Sequence, residues 1–312
     1  MGLEVSQESD GHNHYIAGGH LNVLLSTTIG WNKGDDIIRL GCLRLFEAVC
    51  GSDHNYLVYN RSPGLNDSQL ADYFVDPKGI DLVLFCGTPE WYGSTLRPVY
   101  RLLHETNTPA IYLGIGSPFP NHLSEVEKAV VRKSLVIARD RLTAEETGGH
   151  LLPCPALFAG VPVAGERRKK RAYIVQNHEI LNQSVSKRLV DDFRATYKEG
   201  DLIAHYKNEF SWLRTLGPTF YDFRPERYLE RYAEYAEVVS TRLHGAIGAL
   251  SVGSPAALVA DKDNLRITGA REPFAEVLPL VHHFKDVSGF ATSEQINAFR
   301  ERTWERYMEV VK

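Results

Sequence analysis

The sequence lacks what would mark a nucleic-acid binder, a disulfide-built secreted protein or a membrane span. It has no basic excess: 35 lysines and arginines stand against 39 aspartates and glutamates, giving a net charge of −4 with histidines neutral. Coating a nucleic acid's phosphates needs the opposite balance. The four cysteines, Cys42, Cys50, Cys86 and Cys154, show no CxxC spacing and no histidine in metal-ligand rhythm. Scattered thiols of this kind fit a reducing compartment, and no metal site is expected. The start, MGLEVSQESDGHNHYIAGGH, has no charged segment followed by an apolar run, so it does not read as a secretory signal. No apolar stretch approaches the roughly 20 residues that cross a bilayer. A cytoplasmic location is the expectation. Two phosphate-binding loops are missing as well. There is no GxxxxGK[ST], and GIGSPFP carries Pro118 and Pro120 where a dinucleotide fingerprint needs its third glycine and a helix start.

What is present is an alternation of short apolar runs and helical periods, twice over, in a chain of 312 residues, long enough for two domains. Residues 1–20 are polar and hold His12, His14 and His20, which reads as a loosely docked arm. In the first half LNVLLSTTI, NYLVYN, IDLVLFCG, PAIYLGIGSPF and LVIARD read as strands. Between them, GWNKGDD reads as a polar turn and IIRLGCLRLFEAVC as a helix. TLRPVYRLLHET reads as a helix with Pro98 in its first turn or kinking it, and SEVEKAVVRKS opens with the capping box Ser124…Glu127. TAEETGG is a short helix with a glycine stop. VPVAGERRKKR then reads as a solvated linker near residues 161–171. In the second half AYIVQNH, DLIAHYK, AEVVSTR and PAALVAD read as strands. The helices there are SVSKRLVDDFRATYKEG ended by Gly200, PERYLERYAEY from Pro225, LHGAIGALSVG stopped by Gly253, and a long C-terminal helix capped by Ser293.

Strands separated by helices predict an α/β fold of two Rossmann-like, doubly wound domains facing a cleft. The expected boundaries are 21–164 for an N-terminal, acceptor-side domain and 165–312 for a C-terminal, donor-side domain strapped by the last helix. In such sheets ligands bind beyond the carboxyl ends of strands, so chemistry is sought there. Four exits qualify: Asn32, Gly34, Asp35 and Asp36 after the first strand; Gly114, Gly116 and Ser117 after the fourth; Arg139-Asp140 after the fifth; and Thr241-Arg242-Leu243-His244-Gly245 late in the chain.

The last is the most informative. A helix N-terminus stabilises an anion through unpaired N–H groups. Arg242 adds a fork that grips phosphate or carboxylate, Gly245 permits close approach, and His244 can donate a hydrogen bond or act as general acid. The plainer alternative has Arg242 salt-bridged to a carboxylate and His244 capping the helix. NKGDD can anchor a sugar hydroxyl, bind a metal or cap its helix, a capping aspartate being the simplest reading. Arg139-Asp140 serves equally as a structural ion pair or a ligand contact. His178 and His205 read as structural, and His282-His283 has no geometric argument.

NKGDDII, IYLGIGSPF, ARDRLTAEETGGH and VVSTRLHGAIGALSVGSPAALVADKDN, in this order, resemble the polysaccharide pyruvyl transferase family over most of residues 28–265. The resemblance implies a GT-B-like pair of Rossmann-like domains and transfer of the enolpyruvyl carbon skeleton of phosphoenolpyruvate to two sugar hydroxyls, forming a ketal and releasing phosphate. It implies that Arg242 binds the donor's phosphate or carboxylate and that His244 contacts or protonates the donor. Thr241 and Gly245 would complete the donor site, and Asn32, Gly34, Asp35, Gly114, Gly116, Ser117, Arg139 and Asp140 the acceptor side. Phosphoenolpyruvate would be a co-substrate, with no further cofactor, and the sugar could be lipid- or nucleotide-linked. Two departures stand out. Cys154 lies where the family commonly has an aspartate, and Gln176-Asn177-His178 where a donor-binding arginine is expected, with Arg214 or Arg224 as substitutes. A GT-B glycosyltransferase using a nucleotide sugar, or a non-catalytic binding homologue, would share the same architecture.

Overall fold

A computed structural model describes residues 20–60, 79–87, 98–116, 123–165, 167, 169–176 and 186–311. Residues 1–19, Ser117 and His178 lie outside the described residues. Two six-stranded sheets, parallel at every strand pair, carry the fold. The first is built from β1 (Asn22–Thr27), β2 (Asn55–Asn60), β3 (Leu82–Cys86), β4 (Ala110–Ile115), β5 (Leu135–Ala138) and β6 (His150–Leu151). The second uses β7 (Lys169–Ile174), β8 (Asp201–Ile203), β9 (Thr219–Phe220), β10 (Tyr235–Ser240), β11 (Ala256–Val259) and β12 (Leu280–Val281). β3, β4 and β11 are buried at every position. Their unbroken apolar runs follow from helices covering both sheet faces.

The helices are α1 (Lys33–Cys50), α2 (Pro98–Thr106), α3 (Glu125–Val131), α4 (Arg141–Thr147), α5 (Lys187–Thr196), α6 (Lys207–Leu213), α7 (Pro225–Tyr232), α8 (Leu243–Ser251), α9 (Leu265–Arg271) and α10 (Ser293–Val311). Their ends follow their sequences. Ser124 and Glu127 cap α3 reciprocally; Pro225 opens α7; Gly148 closes α4 at φ 69°. Each good cap stabilises a helix by about 1 kcal/mol.

The strand orders locate the ligand crevices. The first sheet runs β2-β1-β3-β4-β5-β6, the second β12-β11-β10-β7-β8-β9. The chain therefore winds in opposite senses from β1 and from β7, leaving switch points at β1/β3 and β7/β10, where doubly wound folds bind ligands. Asn32 to Asp36, running into the first turn of α1, follow β1, and Thr241 to Gly245, running into the first turn of α8, follow β10.

Between the sheets lies a shared apolar core. One cluster runs from Val23, Ile37 and Leu113 of the first half through Ala246, Ile247 and Leu250 of α8 to Ile296, Phe299 and Tyr307 of α10. α10 bridges the halves: Arg300 donates to the carbonyls of Leu157, Ser251 and Gly160, and Tyr307 donates to Pro153 O at 2.6 Å. Burial in that seam pushes the Arg300 pKa down to about 10, with Arg44 adding to the effect.

Several local expectations change. Lys33 to Asp36 form the first turn of α1 rather than a free turn, because Asn32 takes the N-cap and accepts from Gly34 N at 3.0 Å. No aspartate caps this helix. The linker is shorter than expected, since Lys169 to Arg171 belong to β7. Their charges are paired across the sheet, Lys169 with Asp201 and Arg171 with Glu237 at 2.5 Å. α10 is capped by Thr292, whose Oγ1 accepts from Gln295 N at 3.2 Å while Gln295 accepts from Thr292 N. Ser293 instead donates to Gly253 O. α5 ends at Thr196, before Gly200. α6, β9, α9 and β12 had no expectation in the sequence, being mostly one or two turns or pairs long.

Candidate active site

At the end of β10 the chain must leave the sheet and start a helix. Ser240 makes that turn: its Oγ accepts from Arg242 N at 2.9 Å and donates to Arg242 O at 2.7 Å. Thr241 is fully buried, and its hydroxyl accepts from Gln176 N at 2.9 Å, stitching β7 to β10. Its side chain is spent on the scaffold rather than turned to a ligand. Gly245 also serves packing: a Cβ there would stand 2.8 Å from Ile174 Cδ1 and 2.9 Å from Ser240 Oγ. The residues that project from this turn are Arg242 and His244.

Arg242 occupies the N-cap of α8 without capping it. Its guanidinium is paired with Glu209 and lies over the Tyr206 ring, 4.5 Å from the centroid. The side chain is 9% exposed, and Glu209 only 1%. The expected alternative of a salt-bridged arginine is thus realised, with a buried carboxylate in place of a surface one. Burial works against the Arg242 charge, but Glu209 and Tyr206 outweigh it and hold its pKa above the ordinary arginine value. Glu209 is fixed in turn, its Oε2 accepting from His205 N at 3.1 Å and Tyr206 N at 3.2 Å.

His244 reaches across to the first half, where its Nε2 lies 3.1 Å from Arg139 Nη1. A guanidinium only donates, so Nε2 accepts here and the imidazole proton sits on Nδ1. His244 does not cap its helix. Arg139 follows β5 directly and is 3% exposed. It forms no ion pair with Asp140, whose Oδ1 instead caps α4 by accepting from Thr143 N at 2.9 Å. Gly116 makes room for both: a Cβ there would lie 2.5 Å from Asp140 Oδ2 and 2.6 Å from Arg139 Nε. Gly114, at φ 68°, lies against Pro155 and Cys154, and so belongs to the scaffold behind the site. Cys154 is fully buried; burial raises its thiol pKa and neighbouring Arg139 works the other way.

The start of α1 completes the arrangement. A Cβ on Gly34 would lie 3.0 Å from His244 Cβ, and one on Gly248 would lie 3.2 Å from Ile37 Cδ1. Glycines thus let α1 and α8 approach closely, bringing two helix N-termini, one from each half, to one place. Asp35 accepts from Thr28 Oγ1 at 3.1 Å, and Trp31 meets Tyr206 edge-on at 5.4 Å.

Sequence reasoning passed over Lys33 and Glu209. Lys33 is fully buried; its Nζ lies 3.4 Å from Asp36 Oδ2 and donates to Phe223 O, in the other half, at 3.0 Å. A lysine in a helix's first turn opposes the macrodipole, and that mismatch was the available signal. Arg214 and Arg224, offered as donor-binding substitutes, are both exposed, and Arg224 pairs with Asp222.

His205 lies in the interior. It is fully buried, with Nε2 2.6 Å from the Tyr232 hydroxyl and Nδ1 without a partner among the described residues. Burial first, then the charges of Arg242 and Lys33, hold its pKa well below the usual imidazole value. The folded chain keeps it neutral, whereas the unfolded chain takes up a proton below about pH 6.5. Between the two pKa values the unfolded state binds more protons, so stability is full above about pH 6.5 and falls as pH drops below it. The loss approaches ~1.4 kcal/mol per unit. Urea unfolding of His205→Gln between about pH 7.5 and about pH 5 should show a flatter slope than the parent protein. An unchanged slope would assign the effect to another group.

Comparison with known proteins agrees with this geometry. The glycosyltransferase SnogD of Streptomyces nogalater superposes with a TM-score of 0.50 at 12% identity, over 94% of this chain and 99% of that one. The UDP-GlcNAc 2-epimerase of Methanocaldococcus jannaschii, solved with UDP-GlcNAc and UDP, gives 0.50 at 10% identity, over 92% and 93%. At such identity the likeness establishes the fold, two Rossmann-like domains in the GT-B arrangement. Among curated proteins the sequence has no match. Among the described residues no helix is long and apolar enough to cross a membrane. The profile of the polysaccharide pyruvyl transferases matches residues 32–263, from the cap of α1 to just beyond β11 and through both switch-point loops. The chain belongs to the polysaccharide pyruvyl transferase family and is a transferase of polysaccharide biosynthesis.

Proposed function

We propose that the protein transfers the enolpyruvyl carbon skeleton of phosphoenolpyruvate to two hydroxyls of a sugar, closing a pyruvate ketal and releasing phosphate. The observation that carries this reading is the 3.1 Å contact between Arg139 and His244, one from each half, beside the converging starts of α1 and α8. Two helix N-termini and the guanidinium groups of Arg139 and Arg242 suit a small, highly charged anion. Protonation of the donor's methylene carbon makes C2 electrophilic. One hydroxyl adds there, the C2–O bond to phosphate breaks, and the second hydroxyl closes the ring. Of the two hydroxyl protons, one balances the new methyl group and one leaves with phosphate.

His244 enters this sequence through its tautomer. With Nε2 accepting from Arg139 it is a neutral base. When the donor's anionic group takes the Arg139 N–H, Nε2 is released to take a proton and return it to the methylene carbon. In this reading Asp35, at the start of α1, receives a sugar hydroxyl.

The test runs phosphoenolpyruvate against UDP-sugars. Phosphoenolpyruvate at about 100 times its Kd should raise the unfolding free energy by ~2.7 kcal/mol, and UDP-sugars should not. With a polysaccharide acceptor, phosphate release should accompany an acid-labile mass gain. His244→Ala should slow this by about 10²–10⁴-fold. Stabilisation by a UDP-sugar alone would favour a nucleotide-sugar glycosyltransferase, and stabilisation by neither a non-catalytic homologue.

A further inference from the structure

Arg242 hangs on a flexible stem at a helix start, yet its guanidinium is held by one buried carboxylate and covered by one ring. We infer that Glu209 is the positioning residue of the donor pocket, fixing the Arg242 guanidinium so that its remaining N–H edge meets the donor's anionic group. The inference rests on the phosphoenolpyruvate reading above.

The chain of restraint starts in the backbone. His205 N and Tyr206 N both donate to Glu209 Oε2, at 3.1 and 3.2 Å, which pins the carboxylate at the start of α6. Oε1 then accepts from Arg242 Nη2. The Tyr206 ring sets the plane of the guanidinium from one side at 4.5 Å, and Ser240 holds the Arg242 backbone on both its N–H and its carbonyl. With Nη2 committed to Glu209, a ligand can meet Arg242 only along what is left of its edge. An arginine held this way loses little freedom when the ligand arrives, which is where affinity is otherwise lost. Glu209 is 1% exposed on its side chain, so it acts through Arg242 and touches no ligand itself.

Glu209→Gln is the informative substitution, because its amide oxygen can still accept the two backbone N–H groups while the charge facing Arg242 is gone. Phosphoenolpyruvate affinity, measured by calorimetry, should weaken by about 10- to 100-fold. In an Arg242→Lys background the same change should weaken it less than about twofold, since the group it positions is already missing. Glu209→Asp, which keeps the charge on a shorter stem, should recover part of the loss. In the protein without ligand, the Arg242 Nε–H resonance should be single and slow to exchange in the parent and shifted or broadened in Glu209→Gln. Tyr206→Leu, which leaves the carboxylate intact, gives a second perturbation of the same resonance should Glu209→Gln fail to fold. Equal loss of affinity in both backgrounds, or an unmoved resonance, would reduce Glu209 to a structural ion pair. If the parent binds no phosphoenolpyruvate, the donor reading falls, and the ligand-free resonance still decides the positioning role.

Discussion

Arg242→Ala is expected to remove pyruvyl transfer and to lower the unfolding free energy by about 3–5 kcal/mol. The two effects have different origins. On the proposed phosphoenolpyruvate reading, activity is lost because the donor's anion loses its cation at the β10 exit. Stability is lost because Glu209, 1% exposed, is left in the interior without its partner. Two backbone N–H groups still serve one of its oxygens, but nothing then balances its charge, and a buried unpaired charge is the most costly defect a substitution can leave. Adding Glu209→Gln to Arg242→Ala should therefore recover part of the stability and none of the turnover. Urea unfolding and phosphate release, measured on the single and double variants, separate the effects. A single variant that unfolds at the parent's midpoint would mean that Glu209 is hydrated or protonated in the folded protein.

How much of this was legible in the sequence follows from the range over which each feature is determined. β3, β4 and β11 read directly as apolar runs, because a strand buried on both faces has no alternation to obscure it. The α3 capping box and the proline opening α7 are likewise local, set within four residues. The strand exits could be chosen by rule, and the rule led to Arg139, Arg242 and His244. What their side chains do depends on partners far along the chain. Arg242 is held by Glu209, 33 residues away, and Arg139 meets His244 across 105. No spacing in the sequence encodes either pairing.

The glycines were the least legible. Sequence alone put Gly34, Gly114, Gly116 and Gly245 beyond strand ends and so near the ligand, although Gly114 lies within β4 itself. The structure separates them by what stands opposite. Gly245 faces Ile174 and Ser240, Gly114 faces Pro155 and Cys154, Gly34 faces His244, and Gly116 faces Arg139 and Asp140. The start of α1 misled for a related reason. NKGDD has the composition of a turn, and it becomes helix because Asn32 supplies the cap while Asp36 and the Phe223 carbonyl of the other half receive the buried Lys33 ammonium.

That separation predicts opposite phenotypes for two alanines placed two residues apart. Gly114→Ala should destabilise the protein by roughly 2–5 kcal/mol, combining the cost of a left-handed backbone with that of overpacking. Gly114 sits at φ 68° where the β4/β5 register shifts, and a Cβ would come within 2.3 Å of Pro155 Cδ. Pro155 cannot yield, because its carbonyl oxygen would stand 1.9 Å from a Cβ on Gly41 on its other side, so α1 and β4 clasp the same turn. Gly116→Ala meets side chains rather than a ring locked between two backbones, namely Asp140 Oδ2 at 2.5 Å and Arg139 at Nε (2.6 Å) and Cγ (3.2 Å). Those can swing aside, so the fold should lose about 1 kcal/mol or less. The displacement moves Arg139 off His244, however, and a misplacement of about 1 Å at reacting groups costs on the order of 10²-fold in rate. Thermal unfolding should therefore single out Gly114→Ala, and phosphate release per folded molecule should single out Gly116→Ala. If Gly114→Ala folds normally and is inactive, Gly114 lines the acceptor site after all, and the assignment of β4's exit to the scaffold is wrong.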